Sequence, residues 1–212
     1  MRIIDETTWQ RKAHSDFFAR IANPIYSITF PLDVTAPYAF AKKEGLSFYY
    51  VVMWLCTRAV NRVEAFHYKL RPDGVVLHEV LSPSFTFPHA CGMFGIADVD
   101  FDMGENLREF CARAAHTQES QKNPLPSVDE DMRDDQIYIS CLPWIAFTHL
   151  SQETSGDPND STPRMCWGKF EEKDGRKIMP MTVQVNHRLI DGAHLGQLKE
   201  ELDRETANIN NE

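Results

Sequence analysis

The apolar positions of this chain follow two periods, one typical of helices and one typical of strands. Spacing of three to four residues predicts four helices, over residues 8–22, 48–64, 105–120 and 193–205. The first repeats an apolar side chain every fourth residue from Trp9 to Ile21, and Pro24 predicts its end. Ser47 stands directly before the second helix and is a suitable N-cap.

Alternating runs between these stretches predict strands. They cover residues 26–35, 82–87, 136–147 and a segment that ends near Asn186. Pro31 interrupts the first strand, which suits the edge of a sheet, and Pro143 breaks the third. Asp73-Gly74 and Asp174-Gly175 each lie between two strand-like runs and predict hairpin turns.

Two polar stretches that contain proline, residues 121–135 and 151–163, predict surface connections, the second a mobile loop. No shift in composition marks a second domain and no internal repeat occurs, so residues 1–212 are predicted to form a single domain. Strands and helices mix without strict βαβ order. The predicted fold class is therefore mixed α/β, an α+β two-layer arrangement in which helices cover a mixed β-sheet.

Composition and charge exclude several classes of protein. The 212 residues are 42% hydrophobic and 25% charged, which is usual for a globular domain. The formal net charge of -9 disfavours a nucleic-acid partner, which needs a basic footprint. Residues 48–56, the most apolar stretch, are too short to span a membrane, and no signal peptide is visible. The five cysteines form no CxxC pair, which favours reduced thiols, a cytoplasmic location and no metal site.

The segment VNHRLIDG, residues 185–192, is the first candidate for chemistry. His187 lies where a predicted strand meets the last helix, and a neutral imidazole there can act as general base toward an alcohol. Asp191 can orient a neighbouring group or close the loop by an ion pair. Taken alone, His-x-x-x-Asp more often marks a loop histidine followed by a turn-forming Asp-Gly. The spacing leaves both interpretations open.

Three other segments also have a structural interpretation beside a functional one. Ser140 in YISCLPW is a nucleophile, an oxyanion donor or a plain strand serine, and the lack of a GxSxG elbow disfavours a hydrolase nucleophile. Arg11 on the first helix is either solvated or paired with a carboxylate. Lys169 belongs to a basic hairpin that is either merely polar or a phosphate contact. No Walker or Rossmann glycine pattern occurs, which disfavours nucleotide hydrolysis and dinucleotide binding.

Together these segments resemble the chloramphenicol acetyltransferase family. The motifs W-x-R-K-x-H, S-x-x-P-W and I-M-P-M-x-V-Q-V-N-H-x-x-x-D-G-x-H occur in this order at suitable distances. The resemblance runs from about residue 5 to about residue 203, and residues 48–87 look like the family's helix, hairpin and strand. It implies a compact homotrimer with active sites between subunits. Acetyl-CoA would enter from one side and a small hydroxyl-bearing acceptor from the other.

The resemblance also implies roles for individual residues. His187 matches the catalytic base, and Ser140 matches the serine that stabilises the tetrahedral oxyanion. Asp191 and Arg11 match a salt bridge beside the site. The implied acetyl-CoA contacts are Trp144, Tyr49 and Lys169. The implied acceptor pocket contains Phe17, Phe18, Thr86, Phe94, Leu150 and Cys166. Because a thioester is already activated, the chemistry needs no metal, and a ternary complex is favoured over an acyl-enzyme.

Several positions depart from the family pattern. Asn186 stands in place of a second histidine, and Cys166 in place of a threonine that helps bind a water at the oxyanion. Ser47 replaces a lysine near the CoA path. Gln152 and Thr154 are polar where the family carries apolar residues. The pocket is therefore expected to bind chloramphenicol poorly or to favour a more polar alcohol.

Two alternatives remain open from the sequence. Catalytic domains of dihydrolipoyl acyltransferases share this fold and carry D-H-R-x-x-D-G-A, which is close to NHRLIDGA. They acylate a thiol on a lipoyl arm, and this chain contains no lipoyl domain or Pro/Ala-rich linker. The other alternative is a non-catalytic relative that binds a small molecule. Cys166 and Asn186 favour that alternative, whereas intact His187 and Ser140 oppose it.

Overall fold

The computed structural model describes residues 1–125 and 133–212. Within them, the α-helices are α1 (Lys12–Phe18), α2 (Thr35–Glu44), α3 (Phe48–Asn61), α4 (Leu107–Ser120) and α5 (Gly192–Asn208). The strands are β1 (Arg2–Ile3), β2 (Ile25–Asp33), β3 (Tyr68–Arg71), β4 (Gly74–Leu77), β5 (Ser82–Pro88), β6 (Phe94–Asp98), β7 (Gln136–Leu142), β8 (Arg164–Gly168), β9 (Glu171–Lys173) and β10 (Arg176–Asn186). No helix among the described residues is long and apolar enough to cross a membrane.

The main sheet is mixed, as the sequence predicts. Its strands follow the order β2-β10-β8-β7-β5-β6, and β9 pairs with the first part of β10. The central strands β5, β7 and β8 run parallel, and β10, β2 and β6 extend the sheet in antiparallel fashion. A small second sheet has the order β1-β4-β3. The predicted fold class, a mixed sheet covered by helices, is confirmed.

The edge position predicted from Pro31 is confirmed, because β2 is the first strand of the sheet. Pro31 faces Pro180 of β10 in the register. On its other side, β10 pairs with β9 only as far as Ile178 and with β8 only from Met181 onward. Pro180 therefore lies in a gap of that ladder, where its missing N–H leaves no partner unpaired.

The apolar run after Ser47 forms α3, which is buried almost all round and packs against α2, α4 and α5. Ser47 occupies the N-cap position, but its side chain makes no capping hydrogen bond. The hairpin predicted at Asp174-Gly175 is confirmed. Both residues have positive φ, 52° and 74°, as a two-residue type I′ turn requires. The turn at Asp73-Gly74 likewise joins β3 to β4.

Two helix predictions differ from the structure. The first helix is wrong in length, because α1 covers only Lys12–Phe18 of the predicted residues 8–22. The sequence pattern did not predict α2, which contains Pro37 in its first turn, where a proline is tolerated. The connection predicted for residues 151–163 contains no helix or strand. In the connection predicted for residues 121–135, residues 126–132 lie outside the described residues.

Candidate active site

His187 is the first residue after β10, and its ring is held between aromatic side chains. Its backbone N–H donates to the Pro24 carbonyl at 2.9 Å. The imidazole stacks on Phe18 with ring centroids 4.0 Å apart and planes 12° apart, and Tyr26 lies 4.7 Å away. The buried Nδ1 has no hydrogen-bond partner among the described residues. Nε2 is therefore the ring nitrogen available to a substrate.

Arg11, the residue directly before α1, makes hydrogen bonds to both ends of the turn 187–191. Its Nη1 donates to Asp191 Oδ2 at 2.9 Å, and its Nε donates to the Arg188 carbonyl at 3.2 Å. His14, one helical turn further along α1, places Nε2 2.9 Å from Arg11 Nη2 and 2.8 Å from the His187 carbonyl oxygen. The structure thus brings Arg11, Asp191 and His187 into one hydrogen-bonded cluster, and it adds His14 to it.

Asp191 also starts the last helix. Its Oδ1 accepts a hydrogen bond from the Ala193 N–H at 3.0 Å, and His194 completes a capping box with the Asp191 N–H. Burial raises the pKa of Asp191, but the hydrogen bond from Arg11 and the charge of His194 outweigh burial and hold this pKa at about 2. The carboxylate stays ionised near neutral pH, which fits a structural ion pair.

Ser140 lies on β7 in a row of small polar side chains that crosses the sheet. Its Oγ is 2.9 Å from Thr86 Oγ1 on β5, and Cys166 lies opposite it on β8. The Tyr49 hydroxyl donates to the Thr86 carbonyl at 2.8 Å, which fixes β5 at this point. Burial raises the pKa of the Cys166 thiol to about 12, so the group beside Ser140 stays protonated.

Two cavities meet near Thr86. One, of about 700 Å³, is lined by Ser140, Thr86, Cys166 and Leu150 among others. The second, of about 500 Å³, is lined by the three residues predicted to contact acetyl-CoA, Tyr49, Trp144 and Lys169, and also by Phe94. Phe94 thus lies with these three residues, and Thr86 borders both cavities.

Phe17 and Phe18 lie beside His187 instead of in either of these cavities. Phe18 covers the imidazole, and Phe17 packs edge-on against Phe18 with centroids 5.2 Å apart. The Phe17 side chain is 62% exposed. Apart from Phe94, which lines the cavity of the predicted acetyl-CoA contacts, the predicted acceptor-pocket residues therefore fall into two groups in one chain, one around His187 and one around Ser140.

The sheet register separates these groups widely. Ser140 faces Cys166, and Cys166 faces Thr182 of β10. His187 lies five residues beyond Thr182, or about 16 Å along the strand, and two strand spacings add about 10 Å sideways. The Cα atoms of Ser140 and His187 are therefore about 19 Å apart, and their side chains cannot reach one substrate within one chain.

Asn186 holds a loop in place, a role that its position in the sequence does not indicate. Its Nδ2 donates to the carbonyls of Pro158 and Asp160, each at 2.9 Å. Arg188 bonds to Asn159 of the same loop. Asn186 and Arg188, which flank His187 in the segment similar to the lipoyl-transferring motif, thus anchor the loop 151–163 against β10. No sequence signal links these positions, because the loop has no period.

Residues 1–125 and 133–212 contain no group of three or more His, Cys, Asp or Glu side chains placed to bind a metal ion. The groups described above that bear on the predicted chemistry are an imidazole, an ion pair, a pair of hydroxyls and the two cavities that Thr86 borders.

Comparison with known proteins gives consistent results. Residues 1–203 match the family model for chloramphenicol acetyltransferase. A chloramphenicol acetyltransferase of Bacillus pumilus is 33% identical over 205 residues, which cover 94% of this chain and 90% of that one. A solved chloramphenicol acetyltransferase superposes with a TM-score of 0.87 at 26% identity, covering 96% of this chain and 98% of the other.

A dihydrolipoamide acetyltransferase of Azotobacter vinelandii has the same fold, with a TM-score of 0.70 at 19% identity, covering 94% of this chain and 87% of the other. That likeness concerns the fold alone. The match of the family model over nearly the whole chain decides the assignment: this protein belongs to the chloramphenicol acetyltransferase family and is an acyltransferase.

Proposed function

We propose that this protein is a CoA-dependent O-acetyltransferase, which moves the acetyl group of acetyl-CoA to a hydroxyl of chloramphenicol or a similar small alcohol. One observation carries the proposal. His187 presents its free ring nitrogen on one side of the chain, whereas Ser140 lies about 19 Å away by the register of the sheet. A complete site then requires a second copy of the chain, as in the homotrimer that the family resemblance implies.

His187 Nε2 would take the proton of the acceptor hydroxyl as that oxygen attacks the thioester carbonyl. The tetrahedral oxyanion would accept a hydrogen bond from Ser140 of the partner subunit. Collapse of the intermediate then breaks the carbon–sulfur bond, and the departing CoA thiolate receives the proton that His187 took from the acceptor hydroxyl. The step balances without a metal or an acyl-enzyme.

The ion pair of Arg11 and Asp191 would hold the His187 turn, because an Asp191 carboxylate with a pKa of about 2 does not exchange protons near neutral pH. Thr86, bonded to the Ser140 hydroxyl, would orient it. The remaining acceptor contacts would come from Leu150 and Cys166 in one subunit and from Phe17 and Phe18 in its neighbour.

The 500 Å³ cavity would hold the acetyl-CoA arm. Trp144, 67% exposed at its mouth, offers a flat apolar surface for the pantetheine chain, and Phe94 adds a second. The exposed ammonium of Lys169 supplies a cation for a phosphate or for the pantetheine side. Tyr49, at the inner end, is fixed by its bond to Thr86.

The five free cysteines support a reducing compartment, and we place the reaction in the cytoplasm. The test is the release of free CoA thiol from acetyl-CoA, with and without chloramphenicol and with a panel of other alcohols. Acceptor-dependent release supports the proposal. Release only with dihydrolipoamide would favour a lipoyl-type acyltransferase, and the absence of release with every acceptor would favour a non-catalytic binding protein.

A further inference from the structure

The side chain of Gln152 lines the 700 Å³ cavity, and the hydrogen bonds that hold the loop at this residue do not involve that side chain. The loop is held at this residue by its main chain. The Gln152 N–H donates to Gln184 Oε1 at 2.9 Å, and the Gln152 carbonyl accepts from Gln184 Nε2 at 3.2 Å. Gln184 is buried on β10, so both ends of its amide fix the loop. The carboxamide of Gln152 is not needed for this anchor.

The amide nitrogen of Gln152 has no partner in the described part of the chain, and this Nε2 atom is buried. An unpaired buried donor is destabilising, and the Gln152 side chain is only partly buried, so a rotation of its carboxamide would bring the donor to an oxygen in the cavity that it lines. The natural ligand is therefore expected to present a hydrogen-bond acceptor at Gln152.

The charged side chains of the cavity wall differ in whether they form ion pairs. Its two arginines, Arg133 and Arg164, already bind carboxylates that lie outside the wall. Its two carboxylates, Asp98 and Glu153, are exposed and form no ion pair within the described part of the chain. Residues 126–132 contain no lysine, arginine or histidine that could neutralise them. The wall thus offers free hydrogen-bond acceptors beside the donor of Gln152.

We infer that the preferred acceptor is a polyhydroxylated alcohol, such as a sugar or sugar alcohol, whose further hydroxyls bind Gln152 and the carboxylates of Asp98 and Glu153. This inference rests on the proposed acetyl transfer. A hydroxyl accepts a hydrogen bond from a carboxamide and also donates one to a carboxylate. An ammonium group only donates, and a nitro or carbonyl group only accepts, so neither satisfies both parts of the wall. Ser84, Thr117 and Tyr138 add hydroxyls to the same wall.

The experiment measures kcat/KM from CoA thiol release with three acceptors: xylitol, 2-amino-1,3-propanediol and chloramphenicol. We expect xylitol to exceed chloramphenicol by about tenfold or more, because xylitol offers several hydroxyls besides the one that reacts, whereas chloramphenicol offers a single one, and a site built to bind hydroxyls discriminates between them. Gln152→Leu should lower kcat/KM for xylitol about tenfold, mainly through KM, and change the chloramphenicol value less than threefold.

Two further variants keep the test interpretable. Gln152→Glu retains the shape and removes the amide donors, so it should also reduce xylitol turnover even if the leucine variant folds poorly. Asn208→Leu, at an exposed position at the end of α5, removes a carboxamide outside the cavity and should alter neither acceptor.

The possible outcomes test the assigned acceptor and the acetyltransferase activity separately. Turnover of chloramphenicol without turnover of xylitol, or equal loss of both in the Gln152 variants, overturns the inference and leaves the acetyltransferase intact. A preference for the amino alcohol overturns the assignment to hydroxyls in favour of a cationic ligand at the carboxylates. Absence of thiol release with all three acceptors and with a wider panel overturns the acetyltransferase and the inference together.

Discussion

Asp191→Asn isolates the charge of the carboxylate that holds the His187 turn. Asparagine has the same shape and remains a good N-cap for α5, so the bond from the Ala193 N–H persists. What is lost is the charged partner of Arg11, at 2.9 Å. The variant therefore tests the ion pair with little change to the helix start.

The magnitude follows from the pKa of this carboxyl group, which falls from 3.8 to about 2 in the folded chain. A shift of nearly two units corresponds to roughly 2.4 kcal/mol. The Asp191 side chain is 28% exposed and the Arg11 side chain 16%, so solvent screening reduces this value to about 1–2 kcal/mol. The free energy of unfolding at pH 7 should fall by that amount in Asp191→Asn.

The stabilisation contributed by the Asp191 carboxylate depends on pH. A lowered pKa in the folded state stabilises the protein fully above the unfolded pKa, near 4, and the contribution disappears as pH falls toward 2. Urea denaturation at pH 7, 4 and 2.5, at constant protein concentration, should show the variant and the wild type converging as the pH is lowered. Asp203→Asn, which breaks the exposed pair with Lys199, is the control and should change stability by less than about 0.5 kcal/mol. A refuting result would be equal stability at pH 7, or a difference at pH 2.5 that is as large as the difference at pH 7.

The remaining predictions concern catalysis. His187→Ala should abolish acceptor-dependent thiol release while sedimentation still shows the wild-type oligomer; near-normal turnover would remove the base from the mechanism. Ser140→Ala should lower kcat about 10²-fold or more, since one oxyanion donor is lost, and a wild-type rate would exclude that role. Refolding a 1:1 mixture of these two inactive variants should restore about a quarter of wild-type activity, because one interface in four joins an intact histidine to an intact serine. No recovery in mixed trimers would contradict a site shared between subunits.

Local features of the fold were predictable because they depend on neighbouring residues. The buried helix α3, the edge strand with Pro31 and the turn at Asp174-Gly175 each follow from a short pattern. The helix α2 escaped prediction because Pro37 lies inside it and its apolar spacing is weak. The predicted C-terminal end of α1 was wrong, because the apolar spacing continues past Phe18. The helix stops at Phe18, and Ile21 remains exposed.

Features that depend on pairing between distant segments could not be predicted from the residues alone. The separation of His187 from Ser140 follows from the register of three strands, which no local pattern sets. The contact between Arg11 and Asp191 spans 180 residues and was expected only through the family resemblance. The loop anchors made by Asn186 and Gln184 have no sequence signal, since a polar loop has no period.

Because of the same register, the sequence predicts the type of reaction better than it predicts the acceptor. The proposed base is fixed by α1, Phe18 and the Asp191 cap, which meet at one end of β10 in the fold. The proposed acceptor cavity is formed by β5, β7, β8 and the loop after Pro143, about 19 Å away along the sheet. A substitution in the cavity, such as the polar Gln152, therefore leaves the base and its supports unchanged. Acyl transfer can be retained while the acceptor changes, and the cavity residues alone hold the information about which hydroxyl compound reacts.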